Sequence, residues 1–118
     1  RGPLWFPINY LLVASLQTYA AALGPAFAVE HPTGSGTSVS LDHPAADLSR
    51  RLVGLFLPDA DGRRPMNGGR PLFDSWAELM TFNEYFHGDT GAGLGASHQT
   101  GWTALVAALI ARQSQLGA

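Results

Sequence analysis

Phe6-Pro7-Ile8-Asn9-Tyr10-Leu11-Leu12-Val13-Ala14-Ser15-Leu16-Gln17-Thr18-Tyr19-Ala20-Ala21-Ala22-Leu23 lies inside a stretch, Gly2 to Val29, that contains no charged residue. Ile8, Leu11, Leu12, Leu16, Tyr19, Ala20 and Leu23 recur at helical spacing, with Pro7 at the entrance and Gly24-Pro25 at the exit. The other face, Val13, Ala14, Thr18, Ala21 and Ala22, is hardly more polar. A helix that is apolar all round is expected to be buried all round. The run is about 16 residues, short of the roughly 20 that a membrane span needs, and it carries Asn9, Gln17 and Thr18. Only Arg1 precedes it, too little for the basic region of a secretory signal. The expectation is therefore a buried helix of a soluble, cytoplasmic fold.

Outward from this helix, His31-Pro32-Thr33-Gly34-Ser35-Gly36-Thr37-Ser38 reads as a loop of turn formers. Ser40 or Asp42 then caps a second helix ending before Pro58, with Leu48, Leu52, Leu55 and Phe56 on one face and Asp47, Arg50 and Arg51 on the other. Asp59-Ala60-Asp61-Gly62 is a turn, and a polar loop runs on through Gly68-Gly69-Arg70. Leu79 to Phe86 fits either a short strand or an irregular helical turn, and Gly88 to Gly101 is a glycine-rich loop. A last helix starts near Thr100, with Trp102, Leu105, Val106, Leu109, Ile110 and Leu116 as its stripe. The order is thus buried, amphipathic, buried. Three helices cannot cover two fully apolar ones, so the pattern implies an all-α fold, an arc of a double-layered helical toroid with alternating inner and outer helices. In that geometry Arg1–Tyr10 and Glu84–Trp102 would lie side by side.

The chain has 118 residues, a formal charge of −2, 14% charged and 46% hydrophobic residues, and no cysteine. That composition excludes a disordered tail, disulfides and thiolate chemistry. A slightly acidic chain without a basic stripe does not suit nucleic acid or an anionic membrane. The abrupt apolar start at Arg1, without a methionine, suggests a piece of a longer protein.

Chemistry is densest in Asn83-Glu84-Tyr85-Phe86-His87-Gly88-Asp89 and the glycines that follow. A carboxylate among aromatic rings has the setting of a general base, and the rings offer flat faces to a sugar. The competing reading is that Glu84 or Asp89 only caps or pairs locally. Gly91, Gly93 and Gly95 do not form a dinucleotide fingerprint, and a chain without lysine has no Walker loop. His31, His43, His87 and His98 show no metal-ligand spacing, Asp59-x-Asp61-Gly62 misplaces the calcium-loop glycine, and no nucleophile elbow occurs. No metal or cofactor is expected. At the entrance to the first helix, Arg1, Trp5, Asn9 and Tyr10 combine a planar donor, an aromatic plate and an amide. These parts suit a carbohydrate site, although core packing explains Trp5 equally well.

Arg1 to Leu12, Pro32-Thr33-Gly34-Ser35-Gly36, Leu48-Ser49-Arg50-Arg51-Leu52, Asn83 to Asp89 and His98-Gln99-Thr100-Gly101-Trp102-Thr103 resemble bacterial glycoside hydrolase family 63 proteins. These are relatives of processing α-glucosidase I and of the mannosylglycerate and glucosylglycerate hydrolases. The resemblance spans nearly the whole chain and corresponds to the C-terminal part of the family's catalytic domain. It implies an (α/α)6 barrel and an inverting glycosidase in which Glu84 is the general base. Arg1, Trp5 and Asn9 would line the sugar pocket, with Tyr85, His87 and Gln99 beside them. The family's general acid has no counterpart here, so residues 1–118 would form an inactive, self-associating fragment. The alternative is a noncatalytic helical module for carbohydrate binding or assembly.

Overall fold

The computed structural model describes residues 2–68 and 80–116, with side chains to residue 113. Helix α1 (Phe6–Leu23) begins where sequence chemistry places it. Trp5 is its extended N-cap, and Pro7 sits in the first turn, where a missing N–H leaves no carbonyl unserved. Asn9 Nδ2 donates to the Trp5 carbonyl at 2.8 Å. Gly24 ends the helix, its N–H donating to the Ala20 carbonyl.

Two strands, β1 (Ala28–Glu30) and β2 (Ser38–Ser40), form an antiparallel hairpin with Val29 opposite Val39. The Glu30 carboxylate closes its loop by accepting the Gly36 N–H at 2.6 Å. That bond, and a second from the Gly34 N–H, hold the Glu30 carboxyl below the usual carboxylate range against a small opposing effect of desolvation. Helix α2 (Asp42–Gly54) follows, with Asp42 in its first turn and Arg51 in its last, both complementing the helix dipole. Asp47 gathers two arginines and a histidine on the outer side of α2. Its Oδ2 lies 2.7 Å from Arg51 and 3.5 Å from His31, and its Oδ1 pairs with Arg50. A short 3-10 turn (Pro65–Asn67) buries Met66.

A second hairpin joins β3 (Tyr85–Phe86) to β4 (Gly93–Leu94). Helix α3 (Thr100–Thr103) and helix α4 (Leu105–Leu116) complete the described chain. α4 packs against α2, Gln113 Nε2 donating to Ser49 Oγ at 3.0 Å, and reaches α1 through Arg112, whose guanidinium lies 5.2 Å from the Tyr10 ring centroid. The core joins Phe6, Val13, Leu52, Val53, Leu55, Phe56, Met66, Phe86, Val106 and Leu109. Phe6, Phe56 and Phe86 meet edge to face, with centroids 5.9–6.3 Å apart, the arrangement that ring quadrupoles favour.

This architecture corrects the all-α, toroidal expectation in two respects. The fold is mixed, with two small antiparallel sheets among the described residues. Strand β3 lies at the end of Leu79 to Phe86, where a short strand is one of the two readings, but the other strands leave no mark, because two or three residues are too few for an alternating pattern to register. Nor is α1 an enclosed inner helix. Only Phe6, Val13 and Ala20 are buried, while Ile8, Leu11, Leu12, Tyr19 and Leu23 are exposed. A helix apolar on every side has no pattern to choose which side packs. The choice is made at its N-terminus, where Phe6 enters the phenylalanine cluster and Leu4 pairs with Phe86.

Candidate functional site

The two segments that carry most of the candidate residues do meet, through main-chain pairing. Leu4 N–H donates to the Phe86 carbonyl at 2.8 Å, and Phe86 N–H returns a bond to Leu4 at 2.9 Å. This bridge sets Leu4 antiparallel beside β3, on the edge away from β4, and brings Trp5 against Tyr85. Their ring centroids are 4.9 Å apart, with planes tilted by 33°. Trp102, on α3, closes the group edge-on to Trp5 at 5.6 Å. Trp5 and Tyr85 are half-buried and Trp102 is exposed, so the trio forms an aromatic shelf open to solvent.

Glu84 stands at one end of this shelf. Its main chain pairs with Ala96, N–H to carbonyl at 2.8 Å, and its Oε2 accepts the Ala96 N–H at 3.2 Å. The carboxylate and the Tyr85 ring converge on Gly95. A methyl group on that residue would stand 2.6 Å from Glu84 Oε2 and 2.8 Å from Tyr85 Cε1. Gly95 also has φ +71°, a conformation that glycine adopts without penalty. Both properties require glycine there. The base of the site is pinned by Thr103, which is fully buried and whose hydroxyl donates to the Asn83 carbonyl. The Asn83 side chain accepts from Thr81 Oγ1 at 3.1 Å and lies tight against Gly93.

Trp5, Glu84 and Tyr85 are thus brought together. Gln99 is the N-cap of α3, where its N–H donates to the Phe82 carbonyl and its own carbonyl accepts from the Trp102 and Thr103 N–H groups. Asn9 and His87 have local structural work instead. The Asn9 amide serves the start of α1, and His87 Nδ1 accepts the N–H groups of Asp89 and Thr90 at 3.2 and 3.3 Å, shaping the β3–β4 turn. Arg1 lies outside the described residues. Trp102 is the member that the sequence places in a helix stripe and in the His98–Thr103 motif without marking it as a site residue. Its position one turn past Gln99, in a segment with little else that is large, is the signal that could have marked it.

Among the described residues no group of histidine, cysteine, aspartate and glutamate side chains could hold a metal ion, and no helix is long and apolar enough to cross a membrane. A separate cleft of about 440 Å³ opens between α1, α2 and α4, lined by Gln17, Asp42, Ala46, Ser49, Leu109 and Arg112 among others. None of the candidate site residues borders it.

No family model matches the chain, and no solved structure is significantly similar to it. The chain is similar to Uncharacterized protein YMR196W of Saccharomyces cerevisiae, with 46% identity over 112 residues. The match takes in 91% of this chain and 10% of the yeast protein, so the chain spans about a tenth of the length of this relative.

Proposed function

We propose that this chain carries the general base and part of the sugar pocket of an inverting α-glycosidase, with Glu84 as the base. The observation that carries this reading is a carboxylate held at the end of a solvent-open aromatic shelf. Trp5, Tyr85 and Trp102 present apolar faces of the kind on which a pyranose stacks, and Glu84 is fixed beside them through Ala96. Fixing one carboxylate oxygen orients the other. A base must hold its lone pair on an attacking water while the sugar lies on the rings. The resemblance to glycoside hydrolase family 63 points to the same residue. Inversion needs a second carboxyl, the general acid, roughly 6.5–9.5 Å away with a water between. On this reading the acid comes from elsewhere in a longer polypeptide, and the 118-residue chain binds sugar without hydrolysing it.

The test has two halves. In the 118-residue chain, addition of a glucoside or mannoside should perturb tryptophan fluorescence, and Tyr85→Ala should remove the response. In a longer polypeptide carrying this segment, Glu84→Gln should lower hydrolysis by about 10²–10⁴-fold, the usual contribution of a general base, with binding retained. Binding without hydrolysis in the unaltered long protein would identify a noncatalytic carbohydrate module. Near-normal turnover by Glu84→Gln would refute the assignment.

A further inference from the structure

Two consecutive carbonyls ahead of Glu84 are held by one short helix. The Phe82 carbonyl accepts the Gln99 N–H at 2.7 Å, and the Asn83 carbonyl accepts the Thr103 hydroxyl. Gln99 is the N-cap of α3 and Thr103 its last residue, and the Thr103 N–H donates to the Gln99 carbonyl at 2.9 Å. The next main-chain group, the Glu84 N–H, donates to the Ala96 carbonyl at 2.8 Å. The peptide joining Asn83 to Glu84 is therefore held at both of its polar atoms, by Thr103 at the oxygen and by Ala96 at the nitrogen.

These bonds differ in their exposure to water. The bond that reaches the carboxylate itself, from Ala96 N–H to Glu84 Oε2, is 3.2 Å long and lies at the surface, where water competes for both partners. The direction of the side chain then follows the main chain from which it departs. Thr103 is fully buried, so water does not compete for its hydroxyl. Valine would fill the same volume and admit no water in the hydroxyl's place. Nor is the hydroxyl needed to dock the helix, because the Gln99 bond to Phe82 remains and Val106 and Leu109 anchor the following turns in the core. What the hydroxyl adds is the orientation of one peptide plane. That plane sets the torsion about the Glu84 N–Cα bond. A change of about 15° there carries a carboxylate at the end of a glutamate side chain through about 1 Å, a misplacement that costs about 10²-fold in rate.

We infer that Thr103 is a positioning residue: by holding the Asn83 carbonyl it fixes the peptide plane that aims the Glu84 carboxylate along the aromatic shelf. Its consequence for turnover rests on the reading of Glu84 as the general base, but the placement of the carboxylate does not.

Two measurements test the inference. In the 118-residue chain the Ala96 amide donates to the Glu84 carboxylate, so its NMR shift should move when that carboxyl is protonated. Glu84→Gln, with nothing to protonate, sets the zero. Thr103→Ser keeps the hydroxyl and should keep the movement. Thr103→Val should lose most of it, while the Gln99 amide, still bonded to Phe82, holds its shift. Thr103→Ala and Thr103→Ser differ by the hydroxyl alone and repeat the comparison if Thr103→Val does not fold. In a longer polypeptide carrying this segment, with para-nitrophenyl α-glucoside or α-mannoside as probe, Thr103→Val should lower kcat by about 10–100-fold with KM little changed. Thr103→Ser should retain near-normal kcat. Gly36→Ala, in the loop between β1 and β2, loses stability without touching the site and should also retain it. An Ala96 movement that survives Thr103→Val in full would overturn the inference, as would an equal fall in kcat in Thr103→Ser and Thr103→Val. Near-normal turnover by Glu84→Gln would refute the base assignment alone, because the Ala96 amide reports the carboxylate's position without any turnover.

Discussion

Replacing Gly95 by alanine places a methyl group where the structure has no room for it, and the cost has two separable parts. The first is conformational. Gly95 has φ +71°, and an L-residue in that region costs about 1 kcal/mol more than glycine. The second is crowding. The new carbon would stand 2.6 Å from Glu84 Oε2, 2.8 Å from Tyr85 Cε1 and 2.9 Å from Glu84 Cβ. The carboxylate can swing away, at the loss of its bond from Ala96 N–H, worth about 1 kcal/mol for a half-buried charged acceptor. The Glu84 Cβ cannot swing, being fixed to the main chain, so the backbone leading into β3 must shift. Together these contributions come to about 2–4 kcal/mol. Gly36 supplies the control: it has the same φ of +71°, but nothing lies within 4 Å of an added methyl. Gly36→Ala should therefore cost only the conformational part, about 1 kcal/mol. Urea unfolding followed by circular dichroism measures both. The Gly95→Ala variant should also alter the fluorescence of Trp5, since Tyr85 moves against it. Equal destabilisation by the two alanines would refute the close packing of Glu84 and Tyr85 on Gly95.

Thr103→Val keeps the shape of a fully buried side chain but removes the hydroxyl that donates to the Asn83 carbonyl. It should cost about 1–3 kcal/mol, seen as a lower urea midpoint at unchanged slope. The Glu30 carboxyl, held below its ordinary range by the Gly36 and Gly34 N–H groups, supports the first hairpin fully above the unfolded carboxylate value. That support disappears as pH falls through the lower, folded value. In an NMR titration the Gly36 amide should report a midpoint below the ordinary glutamate value of roughly 4.3, and Glu30→Gln should abolish the transition.

How far the sequence reveals this fold depends on the range over which each signal acts. Pro7 and Gly24 act within one helical turn and set the ends of α1, whereas the cap expected of Ser40 or Asp42 does not form: Leu41 is the N-cap of α2, without a side-chain bond, and Asp42 falls inside the first turn. The packing side of α1 is a long-range choice. It depends on Leu4 meeting Phe86, a main-chain pairing between residues far apart in sequence that leaves no trace in side-chain pattern. An uncharged helix is therefore not by that fact an enclosed one, because apolar character sets what a helix face prefers and not what is available to cover it. The candidate site shows the same division. Glu84 and Tyr85 are legible as a local cluster, whereas Trp102 joins them only because α3 is folded back by Gln99 and Thr103. Asn9 and His87 have the chemistry of ligand-binding groups, but each has a nearer backbone partner to satisfy.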